Sequence, residues 1–151
     1  VDDEDREKEQ GFVLRVVDGI GGFTEDEWNS LAGASRQDET YNPFISRAFL
    51  SALEESGSVS REAGWLPRHL RLEDDRGNLI GAVPNYLKGH SQGEYVFDHG
   101  WADAFERAGG RYYPKYQAAV PFTPAPARAF STISPMNRKP CGWRWREVCV
   151  N

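Results

Sequence analysis

The chain has little that could staple it together. Only two of its 151 residues are cysteines, and both, Cys141 and Cys149, lie near the C-terminal end. So placed, they cannot brace a domain, and two thiols make no four-ligand zinc pattern, so no metal site is expected. No apolar run approaches the roughly eighteen residues that a membrane span requires. The first residues are acidic, unlike the basic start of a signal peptide, so no signal peptide is expected and the expected location is the cytoplasm. Basic residues are in the minority, 18 against 23 acidic, for a net charge of −5 and a pI near 5.2. They are also scattered, so the chain carries no electrostatic footprint for DNA or another nucleic acid. Gly19-Ile20-Gly21 lacks the third glycine of a dinucleotide fingerprint and is expected to be a turn. The only methionine is Met136 and the first residue is Val1, so the chain is expected either not to begin where its gene begins or to have lost its first residue.

What is present suits one domain of ordinary size. Residues 1–10 form an acidic lead-in, expected to be a flexible, solvated tail. Phe12 to Val17 alternates and predicts a strand. Thr24 and Glu27 have the spacing of a capping box, opening a helix to about Ala34 with Trp28 and Leu31 on one side. Asn42-Pro43 predicts a second helix start, with Ile45, Phe49 and Ala52-Leu53 as its apolar stripe and Gly57 as its stop. Phe44, Phe49 and Leu53 are expected in the core. Ser58 to Pro67 has the composition of a loop, with Trp65 plugging the core edge. His69–Glu73 and Leu79–Lys88, joined by the polar Asp74–Asn78, predict an antiparallel hairpin. Pro84 cannot donate to a ladder and marks a bulge or an edge. His69 and His90 are expected to be structural or surface residues.

The stretch from Gln92 to Phe105 concentrates the candidate chemistry. Tyr95-Val96-Phe97 is β-branched and aromatic and predicts a short strand, and Trp101 to Arg107 predicts a helix that stops at Gly109-Gly110. Asp98 and His99 therefore fall at a strand-to-helix junction, where free helix N–H groups can meet a ligand. The alternative is that Asp98 caps the helix. Beyond it, Arg111 to Val120 predicts a strand, ended by three prolines between Pro121 and Pro126. Residues 129–151 lack apolar periodicity and are expected to be a poorly ordered, atypical tail.

Several ordered runs carry a resemblance. They are Gly93 to Asp98, Trp101 to Gly109, Arg111-Tyr112-Tyr113-Pro114-Lys115 and Val120-Pro121-Phe122-Thr123-Pro124. Upstream, Asn42 to Ser46, Ala48 to Glu54 and Pro67-Arg68-His69-Leu70 extend the match. Over about Phe44 to Arg128 the chain is similar to the bacterial FemAB-like family of N-acyltransferases, associated with peptidoglycan biosynthesis or recognition and placed in the GNAT superfamily. The resemblance implies an α+β fold with a mixed, mainly antiparallel sheet and flanking helices, like the first half of such an acyltransferase, with residues 11–128 as a partial domain. It also implies acyl-CoA or aminoacyl-tRNA as donor and a small molecule or cell-wall precursor as partner, and it sets the proline-rich loop near the active cleft. No cofactor is expected to be held within the chain itself.

Acyl transfer to an amine needs a base, donors for the developing oxyanion and a site that excludes water. His99 is the expected base by its intrinsic pKa, with Asp98 beside it. Tyr86, Tyr95, Trp101, Tyr113, Lys115, Phe122 and Thr123 are the expected substrate contacts. Superfamily members bind the donor's pyrophosphate through a glycine-bearing loop at a helix N-terminus, and no such loop follows Val120. The expectation is therefore a truncated, inactive piece of an acyltransferase. The alternative is a non-catalytic module binding peptidoglycan sugars or peptides through Trp101, Tyr112, Tyr113 and Tyr116.

Overall fold

The computed structural model describes residues 11–32 and 41–124. The lead-in and the tail predicted at the two ends both lie outside the described residues. Among the described residues six strands and three α-helices follow the order β1 (Phe12–Val17), α1 (Glu25–Ala32), α2 (Arg47–Glu55), β2 (Trp65–Pro67), β3 (His69–Asp74), β4 (Leu79–Val83), β5 (Asn85–Lys88), α3 (His99–Arg107) and β6 (Lys115–Ala118). The strands form two three-stranded sheets, ordered β1-β3-β4 and β2-β5-β6. Every pairing is antiparallel, and the fold is α+β, as the sequence leads one to expect.

One long hairpin, from Trp65 to Lys88, links the two sheets. Each of its arms is broken once, at Arg68 and at Pro84, so that β2 and β5 leave for the second sheet while β3 and β4 stay in the first. Pro84 is the physical cause on its side, since its ring nitrogen has no hydrogen to give. Asn85 bridges the gap: its Nδ2 donates to the Arg68 carbonyl at 2.9 Å and its carbonyl accepts from the Arg68 N–H at 2.8 Å. Proline thus ends a strand here and makes no bulge. The register shift lies elsewhere, between Leu72 and Glu73. A second correction concerns Trp65–Pro67, expected as loop, which pairs with Tyr86–Lys88 as a strand.

Helix α1 begins where the capping box places it. The Thr24 N–H donates to Glu27 Oε2 at 2.8 Å and the Glu27 N–H to Thr24 Oγ1 at 3.2 Å, satisfying two donors that a helix start leaves open. The predicted second helix divides in two. Asn42 caps only a short 3-10 turn, Pro43–Ile45, and Ser46 then caps α2 by accepting from the Phe49 N–H at 3.2 Å. That division turns the helix: Leu50 is its most deeply buried residue, whereas Phe44, expected in the core, is 42 % exposed and touches Phe49 edge-on.

Two apolar clusters result. Ile20, Phe23, Trp28, Leu31, Leu50 and Leu79 fill the space between α1, α2 and the first sheet. Val59, Trp65 and Tyr86 form the second, and Leu53 packs against both. Between them His69 is fully buried. Its Nδ1 accepts from the Asn85 N–H at 3.2 Å and its Nε2 meets Glu54 Oε1 at 2.9 Å. An acceptor at Nδ1 requires the proton on Nε2, so His69 is a neutral donor to Glu54. The structural role expected for it holds.

Candidate functional site

The site grows from the segment between β5 and β6. After Lys88 the chain runs through Gly89–Phe97 without regular structure and enters α3 at His99. The strand expected at Tyr95–Phe97 does not form. All three side chains are exposed, so no packed surface rewards their β propensity. Ser91 and Glu94 turn inward from this loop and are buried. Lys115, the first residue of β6, comes to meet them, preceded by Tyr112 and Tyr113 and a cis Tyr113–Pro114 bond.

Asp98 joins these parts. It occupies the N-cap position of α3, but its side chain makes no capping bond. Its carboxylate instead accepts from Ser91 Oγ, from Lys115 Nζ and, at 2.7 Å, from the Tyr112 hydroxyl. Burial opposes its charge, but the bonds from Lys115, Ser91 and Tyr112 outweigh that and hold the carboxyl well below the usual carboxylate range. Lys115 is its counterpart. Burial works against its charge too, but the hydrogen bonds to Asp98 and Glu94 raise it above an ordinary lysine. Ser91 Oγ also lies 2.6 Å from the Tyr113 hydroxyl and 3.1 Å from Lys115 Nζ. A serine beside a lysine invites comparison with a nucleophile and its base. Lys115, held as a cation, has no lone pair to take a proton.

A second pair completes the cluster. Glu94 Oε2 accepts from Lys115 at 2.8 Å. Lys88 is fully buried, donates to the Gln92 carbonyl at 2.8 Å and lies 3.4 Å from the centre of the Trp65 ring. Burial pushes its pKa down to about 8, although Glu94 and Asp98 pull it up. Two carboxylates and two ammonium groups thus balance.

The sequence-predicted residues fall into three groups. Asp98, Tyr113 and Lys115 come together in the cluster. His99, adjacent to Asp98 in sequence, is exposed and stacks on Phe97 with ring centres 5.8 Å apart. Asp98 directs its oxygens to other partners, so the two do not form a dyad. Tyr95 and Trp101 are 69 % and 77 % exposed on the surface around α3. Phe122 is half-exposed with its ring 5.4 Å from Trp65 and a φ of 59°, and the partly buried Thr123 follows it. Tyr86 is placed elsewhere: it is 1 % exposed in the second apolar cluster, with burial and the Glu54 charge raising its pKa. Ser91, Glu94 and Lys88 were not singled out from sequence. The available signal was a pair of charges flanking the glycine-bracketed segment Gly89–Gly93, and no periodicity marks it. Among the described residues no group of three or more His, Cys, Asp or Glu side chains is placed to hold a metal ion.

The fold and cluster define an α+β domain with a buried carboxylate–lysine network at the mouth of a helix. Residues 19–141 match the FemAB-like family, described as peptidoglycan biosynthesis/recognition, and the chain belongs to that family. Its work accordingly relates to peptidoglycan biosynthesis or recognition. Searches among curated proteins and among solved structures return no match. Among the described residues no helix is long and apolar enough to cross a membrane.

Proposed function

We propose that the chain serves an N-acyltransferase reaction of the GNAT type, moving an acyl or aminoacyl group onto an amine of a peptidoglycan precursor in the cytoplasm. The observation that carries this reading is that the family match spans the loop, helix and strand that converge on Asp98. The donor is acyl-CoA or aminoacyl-tRNA. In the reaction the amine nitrogen bonds to the donor's carbonyl carbon, the thiol or ribose oxygen leaves, and the amine's proton passes to a base. The hydroxyls of Ser91 and Tyr112 give their protons to Asp98, and the Lys115 cation, held by Asp98 and Glu94, supplies a fixed positive charge of the kind that stabilises a developing oxyanion. His99 is exposed beside this network and can exchange protons with solvent, which suits a base that must be reset each turnover.

The test is acyl transfer to a cell-wall precursor from each donor class, with the 151-residue chain and with a version continued along the gene's reading frame. Transfer that falls roughly a hundred- to ten-thousandfold in His99→Ala, at unchanged melting temperature, supports His99 as base. Transfer by neither form, or an unimpaired His99→Ala, overturns the respective assignment. A second reading has its own observation. Trp101, Tyr95 and Tyr116 are 77 %, 69 % and 64 % exposed, flat faces of the kind that stack on sugar rings. Calorimetric binding of muropeptides that Trp101→Ala abolishes, without transfer by either form, would select a binding module.

A further inference from the structure

One carboxylate oxygen of the cluster has no hydrogen-bond donor among the described residues. The Glu94 side chain is 2 % exposed, and while its Oε2 accepts from Lys115, its Oε1 accepts from none of them. The Lys88 ammonium lies 3.8 Å away, beyond hydrogen-bond range. Lys88 is committed elsewhere, to the Gln92 carbonyl and the Trp65 ring. A buried carboxylate oxygen without a donor is costly, and an arriving N–H group relieves that cost. The neighbouring groups have no such vacancy. Asp98 accepts three bonds, Ser91 is engaged with Asp98, Tyr113 and Lys115, and Lys115 is shared between both carboxylates.

We propose that Glu94 Oε1 is the receptor for a primary ammonium group, with Lys88 as the resident cation that the incoming ammonium replaces. This assignment rests on the reading of the chain as acting on an amine. The charge balance explains the coupling. Lys88 and Lys115 already neutralise Glu94 and Asp98, so a third cation is accommodated when Lys88 releases a proton to solvent. Burial and Lys115 favour that release, whereas Glu94 and Asp98 oppose it, and the pKa of about 8 reflects the balance. Gln92 and Gly93, the two residues before Glu94, are exposed. Gly93 lies against Phe122 and Trp65: a Cβ on it would stand 2.5 Å from the Phe122 ring and 3.1 Å from Trp65 Nε1.

The experiment is an NMR titration of the 151-residue chain with methylammonium, following the carboxyl carbon of Glu94, with tetramethylammonium as a cation that has no N–H to donate. Methylammonium should shift the resonance saturably and tetramethylammonium should not. Because an alkylammonium stays charged to about pH 10 while Lys88 does not, binding should strengthen about five- to tenfold between about pH 7 and about pH 9. Glu94→Gln should weaken binding about tenfold or more. Lys88→Met should tighten it and flatten its pH dependence. An unsaturable shift, equal response to both cations, or a Lys88→Met chain that binds no better overturns the proposal. If Glu94→Gln does not fold by circular dichroism, the Lys88→Met titration decides. Binding is read without any transfer, so an inactive chain that binds methylammonium through Glu94 retains this assignment, and an active one that does not loses it.

Discussion

Glu27 does two jobs with one carboxylate, closing the capping box through Oε2 and pairing with Arg71 through Oε1 at 2.8 Å. The bond from Arg71 and then that from Thr24 lower its pKa from 4.5 to about 2. A carboxyl whose folded pKa is depressed contributes stability above its unfolded value and loses it as pH falls through the folded one. Denaturant unfolding should therefore show stability falling between pH 4.5 and pH 2, and Glu27→Gln should flatten that limb. Asp98 follows the same sign, with its carboxyl also held low. Asp98→Asn removes the charge that Lys115, Ser91 and Tyr112 all address, and should cost about 2–3 kcal/mol in urea unfolding followed by tryptophan fluorescence. A cost under about 0.5 kcal/mol, the range of an unremarkable surface change, would mean that the cluster does not hold α3 in place.

Among the elements, two glycines with the same backbone conformation separate local from tertiary constraint. Gly57 ends α2 with φ 74° and Gly93 turns the site loop with φ 76°. A Cβ at Gly57 meets nothing within 4 Å, whereas at Gly93 it meets the rings of Phe122 and Trp65. Gly57→Ala should therefore cost only the left-handed backbone penalty, about 1 kcal/mol. Gly93→Ala adds overpacking and should cost about 2–4 kcal/mol. Equal losses of stability in the two variants would show that the loop yields to the methyl group and does not press on Trp65.

For the molecule as a whole, stability depends on two clusters joined by Leu53 and by the hairpin that crosses between the sheets. Leu50 is 1 % exposed in the larger one, and Leu50→Ala should lower the unfolding free energy by about 2–5 kcal/mol. The apolar surface is distributed unevenly. Phe12, Leu14 and Val16 are exposed on β1, and Val96, Phe97, Trp101 and Phe105 are exposed around α3.

Where a local rule acts alone, the sequence by itself determined the outcome. The Thr24–Glu27 spacing places the start of α1, the alternation from Phe12 gives β1 its bounds, Gly57 stops α2, and the turn residues Asp74–Asn78 make the hairpin. Each of these depends on neighbours a few positions away. Tertiary structure decided whatever depends on which distant groups arrive. Asp98 has the sequence position of a cap, yet Lys115 and Tyr112 draw its carboxylate away, because the bond to Lys115 joins two opposite charges whereas a helix N–H is an uncharged donor. Pro84 signalled an interruption, but only the packing of Trp65 and Tyr86 turned it into a change of sheet. Glu94 is marked in the sequence only as one of the two charges that flank Gly89–Gly93. Its buried oxygen acquires meaning because Lys88 and Lys115, 6 positions before it and 21 after it, enclose it in a place where water cannot screen the charge.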